Sequence, residues 1–143
     1  MKFEEINLTD IEELAKMYVE TFNSPPWNDE WSMETASKRL YQMINSEDSY
    51  GLKAYEDGLL CGMILGAKEQ YYNGIMFNIK EFCVKNEIRN KGIGTRIFDE
   101  FEQRLKNNGI TEIVLFTSRD DSTESFYKKR GLTSYNDMVM MGK

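Results

Sequence analysis

Histidine is missing from all 143 residues, which removes Ser-His and Cys-His nucleophile pairs and every imidazole metal site. Only two cysteines occur, Cys61 and Cys83, both in apolar stretches and too few for a four-thiolate zinc site or a disulfide framework. No metal is expected, and a reduced, cytoplasmic chain is the simplest reading. Long apolar runs are missing too. The longest nearly apolar stretch, residues 59–67, is far too short to cross a bilayer, and residues 1–6 carry two glutamates and no apolar leader region, so no membrane partner is expected. Basic residues are in the minority, 18 Lys plus Arg against 24 Asp plus Glu, for a formal charge of −6. The imbalance sits in the first fifty residues, which hold 11 acids and 4 bases. An acidic front half argues against general nucleic-acid binding and suits either a cationic small molecule or plain solubility.

What is present is an ordinary globular composition, 41% apolar and 13% aromatic, in a length that points to one domain over residues 1–143. Residues 1–7 read as a strand. Thr9 or Asp10 then caps a helical pattern with Ile11, Leu14, Ala15, Tyr18, Val19 and Phe22 on one face. Pro25 and Pro26, the only prolines, break that pattern, and Ser32 caps a second helix bearing Ala36, Leu40, Tyr41 and Ile44. Turn signals at Asp57-Gly58 and Asn73-Gly74 separate three strands, residues 50–56, 59–69 and 75–84, into an antiparallel meander. Ile93, Ile97, Phe98, Phe101 and Leu105 follow at helical spacing, the helix stops near Asn107-Asn108-Gly109, and residues 110–117 read as a buried strand. Strand, helix, strand at this length implies a right-handed crossover and one parallel pair. The fold class is mixed α/β.

The third strand of the meander carries an irregularity. Its apolar positions Ile75, Phe77 and Ile79 are odd, whereas Phe82 and Val84 are even, with Lys80-Glu81 between them. A bulge absorbs such a one-residue slip, bends the strand and is frequent beside active sites; alternatively Cys83 faces the core and no bulge exists. After this strand comes Lys85-Asn86-Glu87-Ile88-Arg89-Asn90-Lys91-Gly92-Ile93-Gly94-Thr95-Arg96, a basic, glycine-bearing turn that opens straight into a helix. Unhindered N–H groups at a helix N-terminus, with Arg89, Lys91 and Arg96 nearby, make a cradle for a phosphate or pyrophosphate. Neither the dinucleotide fingerprint nor a P-loop fits, because Ile97 occupies the third glycine position and no Gly-Lys-Ser/Thr follows.

Arg89-x-x-Gly92-x-Gly94 resembles the R/Q-x-x-G-x-G/A motif of the GNAT superfamily of N-acetyltransferases, in sequence and in its place five residues after Val84. Residues 120–132, with Phe126-Tyr127 and Gly131, resemble the second signature of that superfamily, N-x-x-A-x-x-F-Y-x-x-x-G-F, and the order of elements is similar over the whole chain, ending in a helix and final strands. The resemblance implies the acyl-CoA N-acyltransferase fold, a twisted, mostly antiparallel sheet with one parallel pair flanked by helices, and transfer of an acetyl group from acetyl-CoA to an amine. It further implies that Phe82, Cys83 and Val84 pair with pantetheine through their backbone, and that Arg89, Asn90, Lys91, Gly92, Ile93, Gly94 and Thr95 hold the pyrophosphate. Asp120 stands in the Asn position of the second signature, beside the CoA arm. Homodimers are common among such proteins.

Tyr127 matches the tyrosine that is placed to protonate the departing thiolate, a task open to a phenol. Glu81, at the expected bulge, is the candidate base for the acceptor amine, since Asn78 fills the earlier position where some relatives carry a glutamate. Pro25-Pro26-Trp27-Asn28-Asp29-Glu30-Trp31 lies where the superfamily lines its acceptor pocket, and it resembles a pattern in some aminoglycoside 6'-acetyltransferase-like members. Trp27 and Trp31 with Glu30 suit an ammonium by cation–π and charge contacts, or they staple the loop to the core. Tyr72 is a further candidate for that wall. The expected acceptor is a small cationic amine; a peptide acceptor and a non-catalytic acyl-CoA-binding module are the alternatives.

Overall fold

The structure, a computed structural model, describes residues 1–88 and 91–143. A strand β1 (Lys2–Glu5) leads into a 3-10 turn (Leu8–Asp10) and helices α1 (Ile11–Phe22) and α2 (Met33–Ile44). Strands β2 (Ser49–Glu56), β3 (Leu59–Tyr71) and β4 (Gly74–Val84) follow, then another 3-10 turn (Asn86–Ile88), α3 (Ile93–Asn107), β5 (Glu112–Leu115) and α4 (Asp121–Lys129). The five strands lie in the order β1-β2-β3-β4-β5; neighbours are antiparallel except β4 and β5, which run parallel.

Local chemistry sets the boundaries. Ser32 accepts from the Thr35 amide at 3.0 Å and Thr35 returns a bond to Ser32, so a reciprocal cap starts α2 as expected. At α1 the cap falls earlier: Asn7 and Asp10 close a capping box around the 3-10 turn, and the Asp10 carboxylate also pairs with Lys53. Asp57 and Gly58 both have positive φ, which the β2–β3 hairpin requires.

The sheet is buried on both faces. Leu52, Ala54, Ile64, Phe77 and Ile79 pack against Ile97, Phe98, Phe101 and Leu105 of α3. Met63, Leu65 and Cys83 pack against Leu14, Tyr18, Ala36 and Leu40 of α1 and α2. Burying one such side chain contributes about 1.5–3 kcal/mol, so each layer holds its helices firmly. Tyr41, expected on the inner face of α2, is half exposed instead.

The expected bulge is present. Leu65 pairs with Glu81 and Gly66 with Ile79, which leaves Lys80 as the extra residue of β4. Phe77 and Ile79 before it, and Phe82 and Val84 after it, all meet the α3 layer, whereas Glu81 and Cys83 turn to the layer of α1 and α2. Burial of Cys83 and a bulge are thus compatible, because both faces are covered. Gly66 is needed opposite: a Cβ there would stand 2.0 Å from the Asn78 carbonyl oxygen.

Two expectations change at the far end. The last strand is shorter than residues 110–117, because its chain leaves β4 after Leu115. No strand follows α4 among the described residues; residues 133–143 are exposed, rich in methionine, and broken by a turn at Asn136-Asp137. No helix of the described residues is long and apolar enough to cross a membrane.

Candidate active site

β4 and β5 pair over four positions, from Met76 with Glu112 to Ile79 with Leu115, and part at the bulge. Past the bulge, residues 81–84 pair with β3 and no longer with β5, and the side that β5 leaves lies at an opening. A strand edge of this kind hydrogen-bonds amides presented to it. The cleft between the diverging strands has a volume of about 500 Å³. Lys80, Glu81 and Phe82 form one wall and Phe116, Thr117 and Ser118 the other; Thr123 and Tyr127 line it from α4, Phe22 and Trp27 from α1 and its following loop. Met140 reaches it from the C-terminal segment. A hollow of similar size, about 490 Å³, lies at the opposite sheet edge around Met1, Tyr55 and Glu56 and holds none of the candidate residues.

Glu81 is buried, and its Oε1 accepts two hydrogen bonds, from the Tyr18 hydroxyl at 3.0 Å and from Arg39 Nε at 2.6 Å. Burial raises its pKa above the usual carboxylate range, while the Arg39 guanidinium and the Tyr18 bond pull the other way. Asp29 adds a further upward push. Tyr127 packs its ring against Phe98 and Phe126, with centroids 6.2 and 5.3 Å away. Burial, aided by the Glu81 charge, pushes its phenol up to about 12, so it is a hydrogen-bond donor at neutral pH.

Beyond the end of β4, α3 begins after Gly92, which has no side chain to cap the helix; the first amides of a helix are a site that suits an anion. Gly92 stands in the left-handed region, φ 77°, and a Cβ at Gly92 would meet no atom of the described residues within 4 Å. A Cβ at Gly94 would first meet Val84, at 3.6 Å. Ile93 is buried beneath the cradle, and Lys91 is exposed beside it. Arg130 donates to Thr95 Oγ1 at 2.5 Å and lies over the Phe126 ring, which brings a cation to the first turn of α3. Arg96 turns away and pairs with Glu56 at 3.1 Å. Arg89 and Asn90 lie outside the described residues.

Other candidates are placed differently. Asp120 caps α4, accepting from the Thr123 amide at 2.8 Å and from the hydroxyls of Ser122 and Thr123 at 3.0 Å; these bonds, the Thr123 amide first, hold its pKa below the usual value. Trp27 lines the cleft and meets Phe22 edge-on at 5.0 Å. Trp31 is instead part of the core margin. Its ring meets Tyr18 at 5.0 Å, its indole N–H donates to Asp29, and its backbone is bracketed by the Asn23 side chain. Glu30 is exposed and off the cleft wall. Tyr72, 90% exposed, tops the β3–β4 hairpin, on the order of 20 Å along β4 from Glu81.

A bulged strand that parts from its parallel neighbour at a cleft, and beyond it a helix that begins at a left-handed glycine, accompany a family match: a model of the acetyltransferase (GNAT) domain fits residues 12–139. The chain belongs to the GNAT acetyltransferase family. GNAT members use acetyl-CoA, and the chain is an acetyltransferase by that membership. Solved structures agree in fold. A possible acetyltransferase from Clostridium difficile 630 superposes with a TM-score of 0.84 at 16% identity, over 99% of this chain and 96% of that one. An aminoglycoside acetyltransferase, meta-AAC0020, from an uncultured soil metagenomic sample, in complex with sisomicin, gives 0.76 at 16% identity, over 99% and 94%. Aminoglycoside N-acetyltransferase AAC(6')-Iy, in complex with CoA, gives 0.76 at 14% identity, over 99% and 93%. No curated protein is matched by sequence.

Sequence reasoning missed Tyr18, Arg39, Phe22, Thr123 and Met140 as neighbours of this GNAT site. Arg39 left a signal, a cation next to Leu40 and three residues after Ala36 on the inner stripe of α2. Tyr18 left another, because the hydroxyl of a core tyrosine needs a partner.

Proposed function

We propose that this GNAT member transfers the acetyl group of acetyl-CoA to a primary amine on a small cationic acceptor, by direct attack of the amine nitrogen on the thioester carbonyl. The observation that carries this reading is the parting of β4 and β5 at the bulge, which opens a cleft lined by Glu81, Phe82 and Tyr127. In this reading the backbone of Phe82, Cys83 and Val84 binds the pantetheine amides, and the first amides of α3, with Gly92 and Gly94, bind the pyrophosphate. A backbone N–H at the bulge polarises the carbonyl, where charge develops as the amine adds.

Glu81 takes the proton of the attacking ammonium, so that the N–C bond forms from a neutral amine. Its raised pKa suits that task better than an ordinary carboxylate would. The C–S bond then breaks, its electron pair leaves with sulfur as a thiolate, and the proton still on the acylated nitrogen passes to that thiolate, giving the amide and free CoA thiol. A thiol of pKa about 8.5 is a stronger acid than a phenol held at about 12, so Tyr127 serves by hydrogen-bonding the departing sulfur rather than by giving up its proton outright. Cys83 faces the core of α1 and α2 and is not assigned a nucleophilic role.

Support for a cationic acceptor comes from Trp27 on the cleft wall, from Asp29 close enough to act on Glu81, and from the acidic first fifty residues. Aminoglycoside-modifying proteins among the structural neighbours point the same way. The test is steady-state acetylation, read by thiol release, with spermidine, an aminoglycoside and peptides with free N-termini. Turnover with the polyamine or aminoglycoside is expected; turnover with peptides alone would move the acceptor to a protein terminus.

A further inference from the structure

We propose that Arg39 and Tyr18 are positioning residues of the acetyl-transfer site, which together clamp Oε1 of Glu81 and reserve Oε2 for the acceptor amine. The inference rests on Glu81 being the base and deepens that reading. Three elements meet at this oxygen. Without the bulge at Lys80, residue 81 would share the parity of Phe77 and Ile79 and point into the α3 core; with it, Glu81 turns toward α1 and α2. There α1 supplies the Tyr18 hydroxyl at 3.0 Å and α2 supplies Arg39 Nε at 2.6 Å, both to the same atom.

Each donor is itself fixed. The Tyr18 ring is wedged between Phe22, at 4.7 Å, and Trp31, at 5.0 Å, and burial together with the Glu81 charge keeps its hydroxyl protonated. Arg39 stays ionised and keeps 42% of its side chain exposed, so it brings a cation to a buried carboxylate while part of its own hydration is retained. Trp31 thereby gains a purpose that a place on the acceptor wall did not give it, holding Tyr18 on Glu81.

The groups facing Glu81 are Tyr18 from α1, Asp29 from the following loop, Arg39 from α2, Tyr127 from α4, and Lys80, its neighbour on the same cleft wall. Burial and Asp29 favour the protonated carboxyl. Arg39 and Tyr18 oppose them, so losing either donor should make Glu81 hold its proton to higher pH.

The test needs no acceptor. In protein carrying carbon-13 at the glutamate carboxyls, the Glu81 signal is assigned by its loss in Glu81→Gln and followed through a pH titration. The midpoint should rise by one unit or more, a tenfold change in the acid constant, in Arg39→Met, and by less but in the same direction in Tyr18→Phe; Arg39→Lys, which keeps the cation, should stay nearer the native value. Tyr18→Phe removes one oxygen atom and keeps the ring packing, so it answers the question even where Arg39→Met fails to fold. Unmoved midpoints would overturn the clamp. With an active amine from the panel above, the acidic limb of kcat/KM should move with the same midpoints. If Glu81→Gln leaves that limb in place while the midpoints move, Glu81 is not the base and the catalytic part of the proposal falls.

Discussion

Replacing Gly66 by alanine is expected to unseat the bulge, and with it the site. Gly66 stands opposite Ile79, at the point where the β3–β4 register shifts. Its added Cβ would lie 2.0 Å from the Asn78 carbonyl oxygen and 2.8 Å from a ring carbon of Phe77. The first obstacle is backbone inside a paired strand, so it cannot swing aside as a side-chain tip would. Forcing a methyl group into a packed position costs about 1–3 kcal/mol, and a backbone obstacle puts this case near 3 kcal/mol. For a chain of this length that is a fall of roughly 9 °C in Tm. Gly92→Ala is the control: its Cβ meets no atom of the described residues within 4 Å, and the left-handed φ of 77° opposes it at about 1–2 kcal/mol. Thermal unfolding of both variants gives the comparison. At a temperature where Gly66→Ala is still folded, its kcat/KM should be at least about tenfold down, because β4 moves Lys80 and Glu81 when it yields. A Gly66→Ala protein as stable and as active as the native one would refute the reasoning about the bulge.

Tyr127→Phe should lower kcat by about ten- to a hundredfold and leave acetyl-CoA affinity within about twofold, because the hydroxyl hydrogen-bonds the departing sulfur and the ring packing is kept. Steady-state kinetics beside a binding titration separates the two. Burial alone would lower the pKa of Lys53, but the Asp10 bond and charge outweigh it and hold it above the usual lysine value. The pair therefore stabilises the fold fully below the ordinary lysine pKa and loses its contribution as pH rises through the raised one. Lys53→Met should cost about 3 kcal/mol at neutral pH, and its Tm deficit should shrink above about pH 10.5; a deficit independent of pH would contradict this. For Glu81 the raised pKa means that native stability falls as pH rises from the usual carboxylate value to the raised one. Glu81→Gln should therefore gain in Tm relative to the native protein across that window while losing activity, and a constant difference would show that the carboxyl is not perturbed.

Much of the fold was legible because it rests on local signals. Ser32 and Asp57-Gly58 marked their boundaries by chemistry that needs no partner, and Ile93 to Leu105 showed a helix by spacing alone. The bulge was legible for the same reason, as a change of parity between Ile79 and Phe82 within one strand. The clamp on Glu81 was not, because Tyr18, Arg39 and Glu81 come from three elements whose approach only the sheet decides. Trp31 was ambiguous for a related reason: an indole beside acids fits a binding wall or a core margin equally until its neighbour Tyr18 is in place. The Asp120 carboxylate resembled a cofactor contact in its motif, yet its spacing to Thr123 is also that of a helix cap, and the cap is what forms. The missing final strands reflect a segment with little β-branched character, Met138 to Met141, in which only Val139 favours a strand.

Binding of acetyl-CoA along β4 where it parts from β5, and onto the first turn of α3, is the step on which every catalytic assignment depends. Calorimetric titration of the native protein and of Gly92→Glu tests it without knowledge of the acceptor. Saturable one-to-one binding by the native protein, lost when a carboxylate occupies the open space at Gly92, is the expected result. No binding by the native protein, or undiminished binding by Gly92→Glu, would contradict the site.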